Sequence, residues 1–287
     1  MKILITGHKG QLGTALQPAL HDHDVHGIDL PEVDIADRAA LFAAVSAASP
    51  DLVIHCAAYT NVDGCARDPA LAYRVNGLGT QNVALACLET GAAMLHISSN
   101  EVFAGDRPAG YEEWMPLNPV NPYGRSKAAA EFHVRSLLSR AYIVRPAWLY
   151  APGGRNFIHA ILNRARDTGR LRVVVDEVGN PTSAADLAAA IAQLITTQQY
   201  GTYHFVNAGA CSRWEFANEI VRQAGLSGVT NTPILSTAFK RPSTPPPYAA
   251  LHNIAGAAIG ITLRPWQEAL ADYLQAENMK LAEMGRG

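Results

Sequence analysis

Residues 2–6, Lys-Ile-Leu-Ile-Thr, form a short β-prone run that stops at Gly7-His8-Lys9-Gly10-Gln11-Leu12-Gly13, where an amphipathic stretch opens at Gln11 without a linker. A strand handed to a helix through a glycine turn is the first half of a crossover, and its next strand lies parallel to it. The alternation then repeats: Val25–Ile28 and a helix from Asp37, Leu52–His55 and a helix from Pro69, Met94–Ser98, a helix beginning near Tyr123, and Tyr142–Arg145. Such a pattern predicts an α/β fold, a doubly wound parallel sheet with helices on both faces.

After Tyr150 the pattern loosens at Ala151-Pro152-Gly153-Gly154-Arg155-Asn156, and Tyr203–Val206 reads as one more sheet strand. The expected organisation is therefore interleaved. Residues 1–150 together with about 182–206 make a Rossmann-type dinucleotide-binding domain, and about 151–181 together with 207–287 make a smaller α/β substrate-binding domain. Arg241-Pro242-Ser243-Thr244-Pro245-Pro246-Pro247 is read as a loop, because its prolines cannot continue a helix or a central strand.

The 287 residues are 48% hydrophobic and 17% charged, and mean hydropathy is +0.01, the range of an ordinary soluble globular chain. Net charge is −2 with no basic stripe, which argues against nucleic acid as a partner. No window approaches the ~20 apolar residues of a membrane span. Cys56, Cys65, Cys87 and Cys211 lack the spacing of a redox pair or a stapled secreted domain, so they read as reduced thiols of a cytoplasmic protein.

The glycines at 7, 10 and 13, with Gln11 and Leu12 between them, suit a pyrophosphate that needs close backbone approach and the positive end of a helix. Asp29 ends the second strand about 20 residues past the first glycine, where a carboxylate meets the adenosine ribose. That placement favours NAD, whereas Lys9 inside the loop suits the 2′-phosphate of NADP, and both remain open. Asp34 and Ile35 flank the adenine or precede a helix cap at Asp37.

Tyr123-Gly124-Arg125-Ser126-Lys127 sets a phenol and an ammonium one helical turn apart on one face. The expectation is that Lys127 lowers the Tyr123 pKa from ~10 and makes it a proton donor and acceptor near neutral pH. Ser98 and Ser99 follow the fourth strand at the sheet's carboxyl edge, where a hydroxyl can hold a carbonyl oxygen.

Together these residues resemble the extended short-chain dehydrogenase/reductase superfamily, and within it the dTDP-4-dehydrorhamnose reductase family. The likeness spans nearly the whole chain: Gly10–Gly13, Ala57-Ala58-Tyr59-Thr60-Asn61-Val62-Asp63, Val75-Asn76, Pro122–Lys127, Arg145-Pro146-Ala147-Trp148-Leu149-Tyr150, Asn156-Phe157, Asp176 through Gly179-Asn180-Pro181-Thr182, and Trp266. It implies reduction of the C4 ketone of a nucleotide-linked 4-keto-6-deoxy sugar with NADP or NAD. Tyr123 would give the proton, Ser99 hold the carbonyl and Lys127 bind ribose. Ala57, Ala58 and Tyr59 would line the cofactor, with Asn76 supporting the lysine side. The substrate would meet Ser99, Asn100, Glu101, Phe103, Tyr123, Trp148, Asn156, Thr182 and Arg241.

One departure stands out. The family usually carries Ser-Thr-Asp-Tyr-Val-Phe where this chain has Ser98-Ser99-Asn100-Glu101-Val102-Phe103. Glu101 is similar to the glutamate of related 4,6-dehydratases, although Asn100 cannot supply their acid proton. Another sugar-nucleotide epimerase or dehydratase, and a non-catalytic dinucleotide-binding subunit similar to the regulatory subunit of methionine adenosyltransferase, are the competing readings. The polar run His21-Asp22-His23-Asp24-His26 is read as a solvated connection, with no metal site expected. The final helix from Trp266 serves packing on the second region or a homodimer contact.

Overall fold

The computed structural model describes residues 1–153 and 156–284, with side chains through Glu277; Gly154 and Arg155 of the predicted loop lie outside the described residues. Six parallel strands form the main sheet: β1 (Lys2–Thr6), β2 (Asp24–Ile28), β3 (Leu52–His55), β4 (Ala93–Ile97), β5 (Ala141–Arg145) and, after a long excursion, β7 (Gly201–His204). Their order is β7-β5-β4-β3-β1-β2.

Alternation along each strand divides the core in two. Ile3, Ile5, Leu52, Ile54, Leu95, Tyr142 and Val144 point to one face, where α1 (Gln11–Ala19) contributes Leu12 and Leu16 and α6 (Ala184–Leu194) contributes Leu187, Ile191 and Leu194. Leu4, Val53, Met94 and Ile143 point to the other, covered by Leu41 and Val45 of α2 (Arg38–Ala48), Val83 and Cys87 of α3 (Gly79–Thr90) and Val134 of α4 (Pro122–Leu137). Strands buried on both faces explain why the sequence shows continuous apolar runs rather than polar alternation.

Polar side chains start the helices where the sequence turns. Asp37 accepts from Ala40 N, and Asn121 accepts from Gly124 N just ahead of Pro122 and Tyr123. The helical region from Pro69 is interrupted by a π-helical turn at Tyr73–Leu78 before α3 begins.

A second cluster gathers α5 (Phe157–Thr168), the parallel pair β6 (Arg170–Val174) and β8 (Thr230–Ile234), α7 (Arg213–Gln223) and α8 (Trp266–Met284) around Ile158, Leu162, Phe216, Ile220, Leu270 and Tyr273. Phe205 and Val206, read as strand, lie just beyond β7 and are buried nonetheless. Next comes Asn207, whose side-chain amide receives Ser183 N and donates to Asp186 and Arg264 O.

Crossovers run in opposite directions from β1 and β3, so their carboxyl ends flank the point where strand order reverses, and a ligand crevice opens there. Among the described residues no helix is long and apolar enough to cross a membrane.

Candidate active site

A cleft of about 1550 Å³ runs from the β1 turn across the sheet's carboxyl edge to the second cluster. At one end Gly7 has φ +72°, and a Cβ on it would lie 2.6 Å from Ala57 N; one on Gly13 would lie 2.3 Å from Gly7 O. The glycines therefore let the loop pack against the end of β3 and let α1 pack against the loop. Gly10 caps α1 without a side chain, and the first turn holds no acidic residue. The opening N–H groups are thus left for an anion, which fits the pyrophosphate of a dinucleotide. Gly7→Ala should weaken dinucleotide binding and lower the melting temperature, since the left-handed backbone alone costs roughly 1–2 kcal/mol for a residue with a Cβ. Calorimetric titration beside a melting curve reads both.

Asp29 at the end of β2 accepts Lys9 N (2.9 Å) and Leu30 N (2.8 Å), which fixes its carboxylate at the cleft. The Lys9 ammonium is drawn to Glu32 (2.8 Å). Asp34 and Ile35 line the same end, Asp34 also accepting Ala36 N. Ala57, Ala58 and Tyr59 form the wall after β3.

Asn76 does not line the cleft. Fully buried, it accepts Tyr59 N (2.7 Å) and donates to Tyr59 O (3.1 Å) and Ser126 Oγ (2.9 Å), tying that wall to α4.

Ser99, Tyr123 and Lys127 share the cleft floor. The two serines part company: Ser98 Oγ donates to buried Glu131 (2.6 Å), while Ser99 Oγ receives Glu101 N (3.1 Å) near the phenol. The Tyr123 phenol is pushed up, not down as expected. Burial is the main cause and the Glu101 carboxylate adds to it, against a smaller opposing contribution from Ser99. Lys127 instead donates to Ile97 O (2.7 Å), and burial lowers its pKa to about 8. Tyr123 thus keeps its proton at neutral pH, as a donor must. Since kcat/KM reports groups of the free enzyme, it should decline as pH rises through about 8, where Lys127 loses its charge; a pH–rate profile checks this.

Asn100 Nδ2 donates to Ala249 O (3.2 Å), so it is occupied in the fold rather than poised as an acid. Phe103 and Thr182, expected on the substrate side, do not line the cleft. Phe103 is fully buried and stacks on Tyr111, and Thr182 Oγ1 donates to Asn180 O behind Trp148. Asn156 does line it, but its amide caps α5 through His159 N and reaches Ala151 O and Tyr273.

Trp148, at φ +42°, is held between Gly179, where a Cβ would come within 2.7 Å of the indole, and the Arg213 guanidinium 3.6 Å over its ring. Arg241 pairs with Glu177, which also faces Arg213 at 3.9 Å. Burial, opposed by Glu177, brings Arg213 down to about 10. Sequence reasoning missed both: Glu177 lies within the Asp176–Thr182 segment but carried no assigned role there, Arg213 belongs to no motif singled out, and only the fold brings them to Trp148 and Arg241. The proline loop crosses the cleft's edge, with Ser243 N on Asp63 and Thr244 O receiving Asn121 Nδ2.

Residues 1–279 match the family model described as RmlD substrate binding domain. The chain belongs to that family. Among its relatives, the spore coat polysaccharide biosynthesis protein SpsK of Bacillus subtilis (strain 168) is 38% identical over 96% of this chain and 97% of its own. The dTDP-4-dehydrorhamnose reductase of Mycobacterium tuberculosis (strain ATCC 25618 / H37Rv) is likewise 38% identical, over 96% and 93%. The crystal structure of dTDP-4-dehydrorhamnose reductase from Bacillus anthracis str. Ames, in complex with NADP, superposes with a TM-score of 0.92 at 37% identity, covering 96% of this chain and all of that one. Within the RmlD family framework, the glycine cradle and the Ser99–Tyr123–Lys127 floor occupy a single continuous cleft.

Proposed function

We propose that this chain is an NAD(P)H-dependent oxidoreductase that reduces the C4 ketone of a nucleotide-linked 4-keto-6-deoxy sugar, converting dTDP-4-dehydro-L-rhamnose to dTDP-L-rhamnose. The observation that carries the reading is the cleft itself: a protonated, buried Tyr123 beside Ser99 and Lys127, continuous with a cradle built for a pyrophosphate. The names of relatives at 37–38% identity support the same substrate class.

The bound dinucleotide supplies hydride from its nicotinamide. Ser99 Oγ donates to the carbonyl oxygen and fixes its direction. Tyr123 gives its phenolic proton to that oxygen as C4 becomes an alcohol carbon, and solvent restores the proton. Lys127 holds the ribose through its ammonium. Trp148 and Arg213 form an aromatic and cationic wall towards the nucleotide-sugar, with Arg241 beside them.

The test follows NADH and NADPH oxidation with dTDP-4-keto-6-deoxyglucose, with and without its 3,5-epimerase. Consumption that requires the epimerase is expected. Dinucleotide binding without consumption would overturn the reductase reading.

A further inference from the structure

Glu101 follows Ser99 into the cleft, and its surroundings leave half of its carboxylate without a donor. It lies in the 3₁₀ turn Asn100–Val102 directly after Ser99. The turn is pinned to α4, since a Cβ at Gly124 would come within 2.0 Å of Glu101 O. Glu101 Oε2 accepts from Asn121 Nδ2 (2.7 Å). That amide is fixed at both ends, its oxygen receiving Gly124 N (2.8 Å) and its nitrogen also donating to Thr244 O (3.1 Å). The carboxylate is therefore oriented by a group that cannot flip.

Oε1 has no hydrogen-bond partner among the described residues, and Glu101 lines the cleft. The nearby cations do not supply one, because Arg241 and Arg213 both turn to Glu177. Glu101 is half-buried and opens to the cleft, so its free oxygen depends on water there. A ligand that displaces that water must bring an O–H in its place or leave a carboxylate oxygen without a donor, which is costly. Burial raises the Glu101 pKa, against the opposing Asn121 hydrogen bond and the charges of Arg213 and Arg241.

We propose that Glu101 is a specificity residue whose free oxygen accepts the hydroxyl adjacent to the reacting carbonyl of the sugar. The inference rests on the reductase reading. With C4 held between Ser99 and Tyr123, one neighbouring carbon, C5, bears a methyl group and the ring oxygen, neither of which can donate. The other, C3, bears the hydroxyl, the donor nearest the reacting carbon.

The test compares two dTDP-linked 4-keto-6-deoxy sugars, one with and one without the C3 hydroxyl, on the wild type, Glu101→Gln and Glu101→Asp. Wild type should favour the hydroxylated substrate by about 10–100-fold in kcat/KM, the range for a hydrogen bond to a charged acceptor. Glu101→Gln turns an N–H₂ towards the cleft, so this preference should shrink to a few-fold, chiefly through a raised KM for the hydroxylated substrate. Glu101→Asp should keep part of it. Equal kcat/KM of the wild type for the two substrates, or an undiminished preference in Glu101→Gln, would overturn the assignment and leave the reductase reading standing. Turnover of neither substrate by the wild type would overturn both. The wild-type comparison decides even if a variant fails to fold.

Discussion

Replacing Tyr123 by phenylalanine lowers kcat by about 10²–10⁴-fold, the usual contribution of a positioned proton donor, and leaves dinucleotide affinity essentially unchanged. The ring of Tyr123 packs with Cys65 and Ala72, and phenylalanine keeps that packing. Only the proton is lost. Because burial and Glu101 hold the phenol's pKa well above its ordinary value, the wild-type donor keeps its proton across the neutral range. Single-turnover decay of the nicotinamide absorbance, beside a calorimetric titration, separates chemistry from binding. Wild-type turnover in the variant would remove Tyr123 from the reaction.

Arg145→Met should cost about 3–5 kcal/mol of stability, the penalty for stranding a buried charge. Arg145 is the largest fully buried side chain. Its guanidinium meets both oxygens of Glu131 at 2.7 Å, Glu113 O and His204 at 3.1 Å, and lies over Phe103. Glu131 in turn receives Ser98, the residue before Ser99, so the pair supports the cleft floor from below. Burial alone would raise the Glu131 pKa, yet the hydrogen bonds and charge of Arg145 hold it below 4.5. A carboxylate depressed in the folded state stabilises it above its unfolded pKa, and that contribution fades as pH falls through the folded value. Wild type therefore loses stability in acid from this pair. In Arg145→Met, Glu131 keeps only Ser98 and the half-exposed Arg135 (2.9 Å), so it takes up a proton more readily and the deficit narrows in acid. Urea unfolding at neutral and acidic pH measures both, and a deficit that widens in acid would contradict the assignment.

What the sequence made legible follows from how local each signal is. The central strands β1, β3, β4 and β5 were readable because they are buried on both faces and so read as nearly unbroken apolar runs. The end of β7 was not, since Phe205 and Val206 are as apolar as a strand while the pairing with β5 ends at His204. Gly7, Gly10, Gly13, Asp29, Ser99, Tyr123 and Lys127 were readable from spacing along single elements.

Contacts between elements were not. Asn76 acts through Tyr59 and Ser126, and Phe103 and Thr182 sit behind the wall they were expected to form. Arg213 reaches Trp148 from a helix 65 positions downstream. The direction of the Tyr123 shift depended on burial and on Glu101, which a Tyr-to-Lys spacing does not encode.

The return of the chain to its sheet also sets the order in which it can be made. β7 pairs with β5 only after the whole of α5, β6 and α6 has been synthesised. Until about residue 205 emerges from the ribosome, β5 is an open parallel edge, and Tyr142 and Val144 lack the cover that Leu187 and Ile191 bring. The half that carries the six-stranded sheet therefore does not mature as an N-terminal module ahead of the rest. A nascent chain stalled near residue 150 exposes an aggregation-prone edge, and fragments ending there are poor candidates for expression on their own.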